Sequence, residues 1–224
     1  MRGTAQGKAR AAAALLLAMA AGLAWGEVIG RSLVALDGRE GRLKECTLGD
    51  LAADAARAAV KADVALVQAG QLREAVIPAG DLERETVRSA LLYPDEQVVL
   101  VEITGQKIRA ALERGLSVLP QQSSAFLQVS GLQVNFRSRK AAGQRVEAIT
   151  VGNKPLVSEK TYRVAMPASL AKGALGYFRI FNGLKVKQTG PALSQGVWDH
   201  VGASRAINLS VGERLRDLSQ PPPS

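Results

Sequence analysis

Two stretches of the chain place apolar residues at the spacing of a half-buried helix. The first extends to Lys61, and we expect Thr47 or Asp50 to cap its beginning. The second covers residues 105–116 and follows Thr104, whose hydroxyl suits an N-cap. Their apolar stripes consist of Leu48, Leu51, Ala52, Ala55, Ala59 and Val60 in the first helix, and Ile108, Ala111, Leu112 and Leu116 in the second.

Short runs of apolar and β-branched residues predict the strands. They occupy residues 28–36, 62–68, 97–103, 126–136, 145–151 and 162–166, and further helices are predicted over residues 83–92 and 191–201. A basic turn covers residues 137–144, and residues 173–177 form a glycine-punctuated loop. Because strands and helices interleave with hairpins, the pattern favours one α+β domain with mixed sheets and packed helices over a doubly wound sheet.

The two ends of the chain differ from this pattern. Residues 1–26 carry three basic residues, an apolar run over residues 11–24 and small residues before Glu27, which is the layout of a signal peptide. The apolar run is shorter than the roughly 20 residues that cross a bilayer, so cleavage is favoured over a retained membrane anchor. We expect residues 27–216 to form the domain, residues 217–224 a flexible tail, and the product to be periplasmic or extracellular, without stable membrane insertion.

Charge and composition indicate which class of molecule the protein binds. The formal net charge of the 224 residues is +9, and the leader holds three of the 29 basic residues, leaving 26 against 20 acidic residues. A mildly basic surface favours small anionic partners. Only 4% of the residues are aromatic and no dense Lys or Arg run occurs, so we expect no binding of nucleic acid.

The residues that usually carry chemistry are few. His200 is the only histidine and Cys46 the only cysteine, so a histidine-rich metal centre and an internal disulfide are both excluded. We expect a buried Cys46, a partly buried His200, and neither metal nor cofactor. Asp50 and Asp54 lie four residues apart on one helix face, where acids are usually solvated or capping, although a catalytic carboxylate pair stays open.

Three arginines lie at predicted loop edges. Arg39 and Arg42 belong to the turn after the first strand, and Arg73 follows the strand over residues 62–68. If the fold brings these edges together, planar guanidinium groups would suit a phosphate or a carboxylate.

Short motifs occur in a distinctive order along nearly the whole chain after the leader. They are RLKECTLGDL (42–51), ADVALV (62–67), GQLR (70–73), IPAG (77–80), VEITG (101–105), QVSGL (128–132), KPL (154–156), KTYRVA (160–165), GY (176–177) and GERL (212–215). In this order they resemble the C-terminal, substrate-binding domain of the 5′-nucleotidase and nucleotide-sugar hydrolase family. The resemblance implies an exported α+β domain of a hydrolase involved in nucleotide catabolism.

The resemblance also implies roles for particular residues. The family's phosphate-binding arginines fall on Arg39, Arg42 and Arg73. Its aromatic clamp for the base is degenerate here, because the ring and polar positions of the clamp carry other residues. These positions are Tyr93, Pro94, Glu96, Ser169 and Leu175. Losing two stacking rings and their hydrogen-bond partners should weaken nucleoside binding by several decades, unless a shift of the turn by one residue lets Tyr93 substitute as a ring.

Three hypotheses follow from the resemblance. The first is a stand-alone, non-catalytic domain that binds a small phosphorylated or anionic ligand. The second is the substrate-binding half of a split 5′-nucleotidase, whose partner is a separate metallophosphatase domain carrying the metals. The third is a structural or interaction domain with a vestigial site. In all three, we expect the chain alone to be inactive as a hydrolase.

Overall fold

The computed structural model describes residues 26–220. The predicted signal peptide over residues 1–26 therefore lies almost wholly outside the described residues, as do residues 221–224 of the predicted tail. The boundary expected after residue 216 falls inside a strand, Leu215–Asp217. Residues as far as Gln220 are held to Phe136 and Asp217 by backbone hydrogen bonds, for example from the N–H of Leu218 to the carbonyl of Phe136 at 2.7 Å.

The chain forms short helices and fourteen strands within residues 26–220. The strands are β1 Val28–Ser32, β2 Leu36–Asp37, β3 Val64–Gln68, β4 Val76–Ile77, β5 Gly80–Glu83, β6 Gln97–Thr104, β7 Leu127–Ser130, β8 Leu132–Phe136, β9 Val146–Val151, β10 Lys154–Pro155, β11 Thr161–Pro167, β12 Val186–Ala192, β13 Ala206–Ile207 and β14 Leu215–Asp217. The α-helices are α1 Thr47–Ala59, α2 Arg84–Ser89, α3 Gly105–Leu116, α4 Ala168–Ala171, α5 Phe178–Phe181 and α6 Leu193–Ser204, and 3-10 turns cover Ala69–Gln71 and Ala174–Gly176.

A mixed five-stranded sheet lies at the centre of the molecule, in the order β12-β6-β11-β3-β7. Its pairs are antiparallel except for β11 and β3, which run parallel. Side chains on a strand alternate between the two faces of the sheet. In β3, Val64 and Leu66 therefore join one hydrophobic core, and Ala65 and Val67 join the other. The predicted α+β class with mixed sheets is confirmed.

The two faces of the central sheet are covered differently. Helices α1 and α6 pack against each other and contribute to the core on the face of Ala65 and Val67. Helix α3 and the four-stranded sheet β10-β9-β8-β14 contribute to the core on the opposite face. A three-stranded sheet, β13-β1-β5, and the small β2-β4 pair complete the fold.

Local sequence patterns predict a helix correctly where its N-cap residue and its apolar stripe are close together in the chain. Helix α3 has the predicted bounds, and the Thr104 hydroxyl accepts a hydrogen bond from the N–H of Lys107. Helix α1 is capped by Cys46, whose sulfur accepts from the N–H of Gly49 at 3.3 Å, so the predicted caps Thr47 and Asp50 are wrong. The Thr47 hydroxyl is engaged elsewhere, because it accepts from the N–H of Asp37 at 2.7 Å and donates to the carbonyl of Ala35.

The predicted strand over residues 126–136 is two strands in two different sheets. They are separated by Gly131, which has a φ of +75°. A Cβ on this residue would lie 2.2 Å from the carbonyl oxygen of Asp63, so only glycine fits there. Apolar positions recur through both strands because β7 is buried along its length and β8 buries alternate residues.

A buried amide connects the turn before α1 to the central sheet. The Gln128 side chain on β7 is fully buried and donates to the carbonyls of Gly41 at 2.7 Å and Lys44 at 2.9 Å. Its oxygen accepts from the N–H of Cys46 at 3.3 Å. Gly49 leaves room for this amide, because a Cβ there would lie 2.5 Å from the Gln128 side chain.

We expect Gly49→Ala to destabilise the protein by about 1–3 kcal/mol, because the added methyl group displaces a buried amide and leaves its partners unsatisfied. The free energy of unfolding from urea denaturation measures this change. Gly196→Ala in α6 is the matched control, because the nearest atom to its Cβ is 3.6 Å away. Equal stability of the two variants would contradict the role of the Gln128 amide.

Candidate functional site

The fold brings the arginine-bearing segments together at the backbone. Strands β2 and β4 pair, and the N–H of Gly38 donates to the carbonyl of Ala75 at 2.8 Å. Gly38 lies so close to the other segment that a Cβ would be 2.6 Å from the carbonyl oxygen of Arg73. The turn that carries Arg39 and Arg42 is therefore adjacent to the loop that carries Arg73.

The three guanidinium groups differ in their contacts. Arg39 is exposed and forms an ion pair with Asp37 at 2.5 Å, and this pairing lowers the pKa of the Asp37 carboxyl. Arg42 is half-buried and lies 3.5 Å from Glu74. Arg73 is exposed and makes no side-chain ion pair or hydrogen bond with residues 26–220. Arg73 is thus the arginine of the three that is not engaged by an acid.

A cavity of about 390 Å³ opens beside these loops. Its lining residues come from the ends of neighbouring strands and the loops that follow them: Gln68, Gly70, Gln71, Leu92, Tyr93, Glu96, Ser124, Ser169, Ala174 and Leu175. Gln68 ends β3 and Ser169 follows the parallel strand β11, while Glu96 precedes the antiparallel strand β6. These three strands are neighbours, so their side chains converge at one edge of the central sheet.

A hydrogen-bond network crosses the floor of the cavity. One oxygen of the Glu96 carboxylate accepts from the N–H of Ser169 at 2.6 Å, and the other accepts from the amide Nε2 of Gln71. Gln68 donates from Nε2 to the hydroxyl of Ser169 at 3.0 Å. Gln68 and Gln71 are buried, and the Oε1 atom of each has no hydrogen-bond partner among the described residues.

Four of the five degenerate clamp positions line this cavity. They are Tyr93, Glu96, Ser169 and Leu175, whereas Pro94 lies outside the lining and its carbonyl accepts from the N–H of Ser194. Arg39, Arg42 and Arg73 do not line the cavity. Arg73 lies two residues after Gln71, and the carbonyl of Arg42 accepts from the N–H of Ser123, next to Ser124.

The loop that carries Leu175 is held in an unusual conformation. Leu175 has a φ of 57°, a left-handed value that costs a leucine about 1–2 kcal/mol. Its carbonyl accepts from Arg114 at 2.8 Å. The loop is anchored by Tyr177, which is fully buried, donates from its hydroxyl to the carbonyl of Ala125 at 2.6 Å and stacks on Phe181. One wall of the cavity is therefore fixed to the core.

Sequence reasoning missed part of this lining. Ser124 gave no signal, since it lies in a polar loop between α3 and β7. Gln68 and Gln71 were visible only as members of a loop motif, although a glutamine ending a fully apolar strand is a polar residue at a buried position. The acceptor atoms of this floor become apparent only in three dimensions.

The comparisons with known proteins agree with this architecture. Residues 28–183 match the family model described as 5′-nucleotidase, C-terminal domain. The chain belongs to this family. It is 33% identical over 162 residues to the trifunctional nucleotide phosphoesterase protein YfkN of Bacillus subtilis, which covers 67% of the chain and 11% of that protein. It is 28% identical over 211 residues to a 5′-nucleotidase of Diplobatis ommata, which covers 84% of the chain and 36% of that protein.

A solved structure supports the same assignment. The 5′-nucleotidase precursor from Thermus thermophilus superposes with a TM-score of 0.77 at 28% identity, over 96% of this chain and 43% of that one. The chain thus spans well under half the length of these relatives. The predicted resemblance to 5′-nucleotidase C-terminal domains is confirmed.

Two further observations on residues 26–220 of this 5′-nucleotidase C-terminal domain concern metal binding and membrane crossing. No three His, Cys, Asp or Glu side chains are grouped there in a way that would bind a metal ion. Nor does that part of the chain contain a helix with the length and apolarity to cross a membrane.

The predicted carboxylate pair lies in a different place from the cavity. Asp50 is fully buried and Asp54 nearly so, which contradicts the expectation of solvated acids. The reason is Arg214, far along the chain, whose guanidinium contacts Asp54 at 2.8 Å and Asp50 at 3.4 Å. Glu45 completes the cluster and accepts hydrogen bonds from the backbone of Arg214 and Leu215. These acids hold β14, and none of them lines the cavity floored by Glu96.

The cysteine and the histidine of the domain are placed as predicted. Cys46 is buried, and burial raises the pKa of its thiol to about 12. His200 on α6 is half-buried, and burial lowers its pKa. Neither side chain lines the cavity.

We expect Asp50→Asn to remove a pH dependence of stability. Burial, with the charges of Glu45 and Asp54, raises the pKa of Asp50 to about 8 against the opposing charge of Arg214. The folded state then binds a proton that the unfolded state, with a carboxyl of ordinary pKa, releases above about pH 4. Stability contributed by this group is therefore full at low pH and is lost as the pH rises towards 8.

Urea denaturation of wild type and Asp50→Asn between pH 4 and 9 measures this difference. The wild type should lose more stability across this range than the variant does. The exposed Asp95, whose carboxyl pairs with Arg88, provides the control variant Asp95→Asn, which should keep the wild-type slope. Parallel slopes for wild type and Asp50→Asn would contradict a protonated Asp50.

Proposed function

We propose that the domain is an exported, non-catalytic binding module for a small phosphorylated ligand. The ligand's organic part would enter the cavity floored by Glu96, and its anionic part would contact the turn of Arg39 and Arg42 and the loop of Arg73. The observation that supports this most directly is a shared loop, since Gln71, which lines the cavity, lies two residues before Arg73. Loops at strand ends supported by a rigid sheet are common ligand sites.

The arginines suit the anionic part of such a ligand. Arg73 is exposed and unpaired within the described residues, so binding an anion would not require it to leave an acid. The side chain of Arg42 is 34% exposed, so an incoming oxygen can reach it beside Glu74. Guanidinium groups bind phosphate through two parallel N–H donors.

We propose an absence of catalysis because the residues that could act as nucleophile or base are buried, engaged by other groups or outside the cavity. The thiol of Cys46 is protonated at neutral pH, because burial raises its pKa to about 12, and the Sγ atom is engaged in capping α1. His200 lies on a helix away from the cavity lining. Asp50, Asp54 and Glu45 are engaged by Arg214 and the backbone near β14.

A second candidate is the substrate-binding half of a split 5′-nucleotidase. The chain matches 43% of the Thermus thermophilus 5′-nucleotidase precursor and 36% of the Diplobatis ommata protein, in a region that the family model describes as a C-terminal domain. That partner would be a separate metallophosphatase domain that supplies the metals. In this case hydrolysis appears only when both chains are mixed.

Export is tested by the mature N-terminus. We expect the protein recovered from the periplasm or the medium to begin at Glu27, because small residues precede it at the cleavage positions. N-terminal sequencing measures this directly. Recovery in the membrane fraction with an intact leader would instead support a retained anchor.

We expect the purified protein to bind 5′-nucleoside monophosphates or inorganic phosphate in isothermal titration, without releasing phosphate in the presence of divalent metal ions. Arg73→Ala should weaken binding about tenfold or more, because a charge-assisted hydrogen bond contributes about 1.5–3 kcal/mol. Arg139→Ala is the matched control, since Arg139 is an exposed arginine of the distant turn over residues 137–144.

The outcomes separate the three hypotheses. Metal-dependent turnover by homogeneous protein would overturn the non-catalytic proposal. Turnover that requires an added metallophosphatase domain would support the split enzyme. A failure of every phosphate compound to bind, without turnover, would leave a missing partner or a vestigial domain as the remaining hypotheses.

A further inference from the structure

The cavity is lined by several hydrogen-bond acceptors and by no basic side chain. We propose that it selects a planar group with two adjacent N–H donors, the edge found in guanine and in guanidinium compounds, and that Glu96 determines this specificity. This inference rests on the proposed function, because it names the ligand class for the same cavity.

Glu96 has the acceptor capacity that such an edge requires. Each carboxylate oxygen has two lone-pair sites, and each accepts one hydrogen bond in the structure, from Ser169 or Gln71. One site on each oxygen therefore stays open. Two parallel N–H donors match the spacing of carboxylate oxygens, as in bidentate arginine–carboxylate pairs.

The charge of Glu96 is not balanced within the cavity. No lysine, arginine or histidine is among the lining residues, and Glu96 forms no ion pair with residues 26–220. Both of its present donors are neutral groups. A half-buried carboxylate without a counter-ion favours a ligand that donates hydrogen bonds or carries positive charge, and it disfavours a phosphate at this position.

The two glutamines add acceptors to the same floor. Gln68 and Gln71 each donate an amide N–H into the network, and this leaves the Oε1 atom of each buried without a partner in the described part of the chain. Unsatisfied buried polar atoms are uncommon in folded proteins. Three acceptor groups and no unengaged cation therefore surround the inner end of the cavity.

The outer part of the cavity suits a flat ligand. The side chain of Tyr93 is 57% exposed, so one face of its ring is open to stacking, and Leu175 lines the cavity from the anchored loop. Planar nitrogen groups stack on tyrosine rings, and cationic ones gain a cation–π attraction.

The test compares guanosine 5′-monophosphate with adenosine 5′-monophosphate by isothermal titration on the purified protein. Adenine offers an acceptor beside its amino group, which a carboxylate repels, whereas guanine offers two donors side by side. We expect guanosine 5′-monophosphate to bind at least tenfold more tightly. Agmatine, a guanidinium compound without phosphate, forms a separate arm that distinguishes the two sources of this donor pair.

Glu96→Gln is the decisive variant, and the network allows it to fold. The new amide oxygen can accept from the N–H of Ser169. Its NH₂ group can donate to Oε1 of Gln71 after the Gln71 amide turns over, because Gln71 presents Nε2 to the carboxylate in the wild type. The charge and two acceptor sites are lost. We expect the preference for guanosine 5′-monophosphate over the adenosine compound to fall to near unity and agmatine binding to disappear, with an unchanged thermal midpoint.

Asp95→Asn is the matched control, because it removes one negative charge from the neighbouring residue, outside the cavity lining. It should keep the wild-type preference. Equal or tighter binding of adenosine 5′-monophosphate, or a preference that survives in Glu96→Gln, would overturn this inference and leave the proposed function intact. If none of the nucleotides, inorganic phosphate or agmatine binds, the proposed function fails and this inference fails with it.

Discussion

The buried amide of Gln128 is the interaction on which the placement of the functional loops depends. It bonds three backbone groups of the turn that leads into α1, and it does so from β7 in the central sheet. Without it, the carbonyls of Gly41 and Lys44 would be buried without a donor, which is costly. The turn that carries Arg39 and Arg42 therefore takes its position from the core, although the arginines themselves are exposed or half-exposed.

The cavity depends on the central sheet in a comparable way. Gln68, Glu96 and Ser169 come from the same edge of three neighbouring strands, and the single parallel pair, β3 and β11, places two of these residues side by side. The network between them binds the strand ends to one another. An acid on this floor therefore serves two purposes: it holds the backbone of α4 through Ser169, and it gives the cavity its negative charge.

What could be predicted from the sequence is what depends on nearby residues. The bounds of α3 follow from its N-cap residue and its apolar stripe. The burial of Cys46 follows from the rule that a lone cysteine is usually a small buried residue. The cap of α1 could not be predicted, because the Thr47 hydroxyl bonds the backbone of Asp37 and Ala35, ten and twelve residues earlier. The burial of Asp50 depends on Arg214, and an acid pair at helical spacing gives no sign of so distant a partner.

The sequence indicated which residues form the candidate site better than it indicated how they bond to one another. Order of motifs pointed to Tyr93, Glu96, Ser169 and Leu175 together, and all four line one cavity. The hydrogen-bond directions within the floor depend on the relative heights of three strand ends, which no local pattern encodes. The left-handed conformation of Leu175 could not be predicted either, because leucine rarely adopts a positive φ.

Gly131 has a consequence for the cooperativity of the whole domain. It joins β7 of the central sheet to β8 of the four-stranded sheet with no intervening loop, and its backbone touches the carbonyl side of Asp63. Neither sheet can separate from the other without pulling a strand out of its own ladder. The two sheets should therefore unfold together in a single transition, and a mechanical load on one would be carried directly into the other.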